Sequence, residues 1–167
     1  MNEKKTDNDE KNKKGKKDEK GTDAKQEQTT EVSQTPKVTK IKVGVIDDSE
    51  FSRKSMISIL EAGGFEIGGE AGSVKDALNI VQNSPCDVYI IDIVMPETSG
   101  LELAKLINKQ KADAYIIMVS SLRMENMIIE SISLGAVDYL QKPFEAEDLL
   151  RAVSKLSHQI LSGVERM

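Results

Sequence analysis

From residue 41 onward, short apolar runs alternate with stretches in which apolar residues recur at helical spacing. Continuous apolar runs are typical of strands buried on both faces of a parallel sheet, and the stretches between them suit crossover helices. Right-handed crossovers place those helices on both faces of one sheet. The sequence therefore predicts an α/β fold with a doubly wound parallel sheet of five strands and five helices. The predicted strands are 41–46, 65–70, 87–91, 115–119 and 137–140.

Serines and glycines mark the ends of the predicted helices. Ser49 and Ser73 each precede an amphipathic stretch and can accept a hydrogen bond from its first turn, which predicts N-caps. Gly135 follows the fourth amphipathic stretch and predicts a left-handed C-terminal cap. The residues of the first helix that we expect to face the core are Phe51, Met56, Ile59 and Leu60.

The composition divides the chain at about residue 40. Residues 1–40 contain 4 apolar residues, 11 Lys and 9 Asp/Glu, and cannot bury enough surface to offset the entropy of ordering. We expect this segment to be a disordered spacer and residues 41–167 to form one domain. The domain carries 12 Lys/Arg and 19 Asp/Glu, which argues against direct binding to nucleic acid. Neither a membrane-inserting run nor a secretory signal is present, so we expect a cytoplasmic protein.

Side chains that can carry chemistry fall at the ends of the apolar runs. Asp47 and Asp48 end the first run, Asp92 ends the third, Ser120 ends the fourth and Lys142 follows the fifth. In a doubly wound sheet the carboxyl ends of the strands meet at one edge, where ligands bind. Three carboxylates at that edge repel one another unless a cation is present. Oxygen ligands without Cys or His favour Mg²⁺, which we therefore expect as the cofactor.

The same residues suit phosphoryl transfer. A carboxylate can act as a nucleophile and form an acyl phosphate, provided that the charge on the phosphoryl oxygens is neutralised. Lys142 can supply a point charge and Ser120 a hydroxyl donor. Each residue alone has an ordinary explanation, such as a helix cap or a turn. Their joint placement indicates a magnesium-assisted site that accepts a phosphoryl group on an aspartate.

Four motifs carry a resemblance to a known family: VGVIDDS, VYIIDIVMPETSG, IIMVSS and DYLQKPF. From Val43 to about Ile160 the chain resembles a response-regulator receiver domain of two-component signalling. The resemblance implies a flavodoxin-like strand order of 2-1-3-4-5. Because about 25 residues follow Lys142, the layout is similar to that of a stand-alone chemotaxis regulator, without an output domain.

The resemblance also implies roles for the residues at the sheet edge. Asp92 is expected to be the phosphoacceptor and to hold Mg²⁺ together with Asp47, Asp48 and the backbone carbonyl of Val94. Such a domain catalyses only its own phosphorylation and dephosphorylation, and is not otherwise an enzyme.

Ser120, Tyr139 and Lys142 are expected to respond to the phosphoryl group. By resemblance, Lys142 binds the phosphoryl group, Ser120 is the switch hydroxyl and Tyr139 is the switch aromatic residue, while the Lys142-Pro143 peptide is cis. The expected partners are a histidine kinase and a downstream protein that binds the face built by the fourth helix, fifth strand and fifth helix. Met124, Met127 and Ile128 are candidate contacts on that face. We expect a monomer or a phosphorylation-dependent dimer.

Other functions stay open at this point. A module that binds its partner without phosphorylation is one alternative, and a phosphorelay step or phosphate sink is another. A phosphatase or flavin enzyme on the same fold ranks lowest, because no glycine-rich loop follows the first strand. His158 is interpreted as a helix-surface residue, and Tyr115 and Cys86 as packing residues. Apolar side chains at Val94 and Leu122 predict a long-lived phosphoryl group.

Overall fold

The computed structural model describes residues 40–96, 98–122 and 125–163. Its parallel strands form one sheet in the order β2-β1-β3-β4-β5, with helices between consecutive strands. This confirms the predicted doubly wound α/β fold and its strand order. The elements are β1 (Lys42–Ile46), α1 (Glu50–Ala62), β2 (Glu66–Ala71), α2 (Val74–Asn83), β3 (Val88–Asp92), α3 (Gly100–Gln110), β4 (Tyr115–Ser120), α4 (Glu125–Ser133), β5 (Asp138–Gln141) and α5 (Ala146–Ser162).

The strand boundaries differ from the predicted ones by no more than one residue, always toward the C terminus. The shift matters at two positions. Asp92 is the last residue of β3 and Ser120 is the last residue of β4, so both belong to the sheet and not to the loops that follow. Ladder hydrogen bonds therefore hold the backbone of both residues.

The predicted helix caps are confirmed, but one residue of α1 was assigned to the wrong face. Ser49 accepts a hydrogen bond from the N–H of Ser52, Ser73 caps α2, and Gly135 has a φ of 93°. Phe51, which we expected in the core, is 85% exposed. At about 100° per residue, Phe51 lies roughly 140° around the helix from the buried Met56, so both cannot face the sheet.

Among the described residues, the core consists of two clusters that lie on opposite faces of the sheet. Alternate residues of each central strand point to each side: Ile91 belongs to the cluster under α2, α3 and α4, and Ile90 to the cluster under α1 and α5. Cys86 is fully buried and Tyr115 packs against the second cluster, as predicted. Burial raises the pKa of the Cys86 thiol to about 11, so this side chain is a neutral packing group.

Two predictions fall outside the described residues. The spacer predicted for residues 1–40 lies almost wholly in the part that is not described, and so does Met124 on the partner-binding face. Met127 packs against the first cluster, whereas Ile128 is 37% exposed. Among the described helices, none has the length and apolar character needed to cross a membrane.

Candidate metal and phosphoryl-acceptor site

Three carboxylates meet at the carboxyl edge of β1 and β3, as the sequence predicted. Asp47 and Asp48 directly follow β1, and Asp92 ends β3, the neighbouring strand. One carboxylate oxygen from each of the three residues lies within 4.8 Å of the others. Asp47 and Asp92 are buried, at 1% and 5% exposure, while Asp48 is exposed. The cluster therefore has two buried members and one member open to solvent.

Asp47 is the most heavily hydrogen-bonded of the three acids. Its Oδ1 accepts a hydrogen bond from the backbone N–H of Ser49 at 2.9 Å. Its Oδ2 accepts two, one from the Ser52 hydroxyl and one from the Lys142 ammonium, each at 2.6 Å. These donors come from the first turn of α1 and from the end of β5, so Asp47 joins two separate elements of the site.

Lys142 bridges the two buried carboxylates. Its Nζ lies 2.6 Å from Asp47 Oδ2 and 3.3 Å from Asp92 Oδ1. The backbone N–H of Lys142 donates to the carbonyl of Ser120 at 2.8 Å, which fixes the start of its side chain beside β4. The Lys142-Pro143 peptide is cis, as expected. One cation thus serves two buried anions.

The electrostatic environment of Asp92 disfavours its charged form. Burial raises the pKa of the Asp92 carboxyl above its ordinary value, the charge of Lys142 opposes that rise, and Asp47 adds to it. The positive charge of Lys142 therefore does not fully balance the negative charge of the three carboxylates. Its ligands are all carboxylate oxygens, the donor type that suits Mg²⁺, so the residues present fit that ion.

Close packing of α3 holds the backbone at Asp92. The first residue of α3 is Gly100, whose N–H donates to the Ile93 carbonyl at 2.9 Å. A Cβ at Gly100 would collide with the backbone carbonyl of Asp92, so only glycine allows this approach. The glycine of the VYIIDIVMPETSG motif thus has a structural reason.

The peptide of Leu122 connects the two residues predicted as the switch. The N–H of Leu122 donates to the Ser120 hydroxyl oxygen at 3.0 Å, and the Leu122 carbonyl accepts from the Tyr139 hydroxyl at 2.7 Å. Ser120 is fully buried, and Tyr139 is half-buried against the core. A shift of Ser120 would disturb a segment that also binds Tyr139.

Two α1 residues that were not predicted as site residues contact the acidic pair. One is Ser52, through Asp47. The other is Arg53, whose Nη1 donates to the carbonyls of Asp47 and Asp48 at 2.8 and 3.3 Å and whose Nε pairs with Glu70. The sequence position of Ser52 and Arg53 could have indicated these contacts. Both lie in the first turn of a capped helix, where side chains can reach back to the residues that precede the helix.

The remaining predicted residues lie around the site or away from it. The side chains of Val94 and Leu122 are 47% and 37% exposed. The ligand role of the Val94 carbonyl stays a prediction. His158 is exposed on α5, in agreement with its interpretation as a surface residue.

Comparison with known proteins agrees with this geometry. The family model "Response regulator receiver domain" matches residues 43–154. The chemotaxis protein CheY of Thermotoga maritima is 34% identical over 116 residues, which cover 70% of this chain and 97% of that protein. The chemotaxis protein CheY of Bacillus subtilis is 36% identical over 111 residues, covering 66% of this chain and 92% of the relative.

Solved structures show the same similarity. The CheY-like receiver domain protein of Methanospirillum hungatei superposes with a TM-score of 0.69 at 26% identity, covering 74% of this chain and 99% of that chain. The CheX-CheY-BeF3-Mg complex from Borrelia burgdorferi contains a match with a TM-score of 0.67 at 27% identity, covering 70% and 89%. The fold, the acidic cluster with its lysine, and the matched family model together show that this chain belongs to the family of response regulator receiver domains.

Proposed function

We propose that this chain accepts a phosphoryl group on Asp92 from a phosphohistidine of a histidine kinase and thereby changes its affinity for a downstream protein. An oxygen of the Asp92 carboxylate forms a bond to phosphorus while the phosphorus–nitrogen bond breaks and the leaving imidazole keeps its electron pair. The observation that carries the proposal is the Lys142 ammonium, which contacts both buried carboxylates at distances of 2.6 and 3.3 Å.

The contacts of the three acids favour Asp92 as the nucleophile. Both oxygens of Asp47 already accept protein hydrogen bonds. Asp48 is exposed, whereas the buried Asp92 has a raised pKa and hence a more basic carboxylate. A buried, basic carboxylate beside an ammonium group is the arrangement that an attack on phosphorus requires.

Asp47, Asp48 and Asp92, with the Val94 carbonyl, are the residues that would hold Mg²⁺. When bound, the ion would neutralise charge on the phosphoryl oxygens. We expect Lys142 to turn from Asp47 toward a phosphoryl oxygen, as its exposure of 24% leaves the side chain room to move.

The response would begin at Ser120. When its hydroxyl turns to donate to a phosphoryl oxygen, the bond from the Leu122 N–H is strained, and the Leu122 carbonyl that holds Tyr139 moves with it. Tyr139 lies on β5 beside α4, whose Ile129 and Ile132 are 63% and 60% exposed. This apolar surface is the site that we propose for binding of the downstream protein. We further propose that residues 41–167 form the receiver domain and that the protein acts in the cytoplasm.

Labelling with acetyl phosphate tests this function. We expect intact-mass spectrometry to show one added phosphoryl group in the presence of Mg²⁺ and none in its absence. Asp92→Asn should abolish the label. Asp87→Asn is the matched control, because this substitution also removes one negative charge. Asp87 directly precedes β3, at the end of the strand opposite to Asp92, and accepts a hydrogen bond from the Lys42 N–H. Full labelling of Asp92→Asn would refute the proposal.

A further inference from the structure

Ser52 has a contact that the assigned roles do not explain. It lies in the first turn of α1, where its N–H donates to the Ser49 hydroxyl at 3.3 Å and its own hydroxyl donates to Asp47 Oδ2 at 2.6 Å. Serine hydroxyls inside helices usually bond to a backbone carbonyl one turn earlier. Here the carbonyl one turn earlier, that of Asp48, accepts from Arg53 instead. The Ser52 hydroxyl is thus directed at the acidic cluster.

We propose that Ser52 is a positioning residue that keeps Asp47 in place when Lys142 leaves it for the phosphoryl group. The inference rests on the proposed function, since it requires that Lys142 changes partners. It assigns Ser52 no contact with the phosphoryl group, and its effect passes through Asp47 alone.

The hydrogen-bond donors to one oxygen atom, Asp47 Oδ2, give Ser52 this role. In the present arrangement Asp47 Oδ2 accepts from both Lys142 and Ser52, so the loss of either leaves one donor. Once Lys142 has moved, Ser52 is the remaining donor to that oxygen among the described residues. Asp47 is 1% exposed, so bulk water cannot replace a missing donor. An unpaired oxygen on a buried carboxylate is costly.

The Ser52 hydroxyl therefore stabilises the phosphorylated arrangement more than the resting one. In the resting arrangement its removal leaves Asp47 with Lys142 and the Ser49 N–H. After Lys142 has moved, the same removal leaves the Ser49 N–H as the one hydrogen-bond donor to this carboxylate among the described residues, beside Mg²⁺ where the ion is bound. A purely structural cap would stabilise both arrangements equally, and this difference separates the two roles.

Beryllofluoride with Mg²⁺ is a stable probe of the phosphorylated arrangement. We would titrate it into the full-length chain by calorimetry, and record melting temperatures with and without the probe. We expect Ser52→Ala to bind beryllofluoride on the order of tenfold more weakly than the wild type, the effect of one lost hydrogen bond to a charged group. Ser52→Thr keeps the hydroxyl and should restore affinity to within about threefold of the wild type.

Ser55→Ala is the matched control, because Ser55 is an exposed serine one turn further along the same helix. It should bind the probe like the wild type. If Ser52→Ala is too unstable to titrate, Ser52→Cys provides the comparison, since a thiol has a similar shape and is a weak donor.

The outcomes separate this inference from the function on which it rests. If the wild type fails to bind beryllofluoride, both are wrong. If the wild type binds and Ser52→Ala binds equally well, the function stands and the role of Ser52 is refuted. The role is also refuted if Ser52→Ala lowers the melting temperature by the same amount with and without the probe.

Discussion

Replacing Lys142 with methionine should destabilise the metal-free protein, because two buried carboxylates then lose the cation that they share. The side chains of Asp47 and Asp92 are 1% and 8% exposed, and Lys142 Nζ contacts both. Removing one partner of a buried ion pair costs about 3–5 kcal/mol. The loss has an upper limit, because one Asp can take up a proton instead of staying charged. Protonation of an ordinary Asp at pH 7 costs about 4 kcal/mol.

Solvent screening of Lys142, whose side chain is 24% exposed, lowers the expected loss to the bottom of this range or below it. We expect about 2–3 kcal/mol at pH 7, or a fall of roughly 10 °C in melting temperature for a domain of this size. The variant has an Asp with a raised folded-state pKa, so its stability falls as pH rises. At pH 5 proton uptake is cheaper, and the loss relative to the wild type should shrink to about 1.5 kcal/mol.

Urea unfolding at pH 5 and pH 7, with and without Mg²⁺, measures these quantities. The control is Lys105→Met, which removes the same charge from an exposed position on α3. Mg²⁺ should protect Lys142→Met more than the wild type, because the ion restores positive charge to the cluster. The reasoning fails if Lys142→Met and Lys105→Met are equally stable, or if the Lys142→Met loss is the same at both pH values.

Further predictions concern the metal, the lifetime and the spacer. Asp48→Ala should weaken Mg²⁺ binding in calorimetry and make the metal-free protein more stable, since a like charge is removed; unchanged affinity contradicts this. Val94 and Leu122 cannot hydrogen-bond an attacking water, so Val94→Asn with Leu122→Glu should speed decay of the phosphorylated form after donor removal; decay of the wild type within seconds, or no acceleration, contradicts this. A chain of residues 41–167 should retain acetyl phosphate labelling, and a folded but unlabelled truncation contradicts the spacer role.

Much of the fold could be predicted from the sequence because the pattern of apolar residues is strong. Strands buried on both faces, such as β3, must be continuously apolar, and the residues that end them must then lie at one sheet edge. The order of residues alone therefore predicts that Asp47, Asp92 and Lys142 lie close together. The order of apolar and polar residues thus indicates which residues lie at the carboxyl edge of the sheet.

The hydrogen bonds within the site could not be predicted in the same way. Phe51 was assigned to the core because apolar residues favour burial, although its place roughly 140° around α1 from the buried Met56 points it away from the sheet. The Ser52 bond to Asp47 depends on a rotamer, and the Leu122 contacts come from backbone groups, which carry no residue-specific signal. The spacing of apolar residues indicates which residues lie on the same face of a helix or strand. It does not indicate which atom a polar side chain binds.

The central claim is that Asp92, and neither of the neighbouring acids, receives the phosphoryl group. Reduction of an aspartyl phosphate with borohydride converts that residue to homoserine, which peptide mass spectrometry can locate. After labelling with acetyl phosphate and Mg²⁺, the account predicts homoserine at position 92 and unchanged Asp47 and Asp48. Homoserine at position 47 or 48, with Asp92 unmodified, would contradict it.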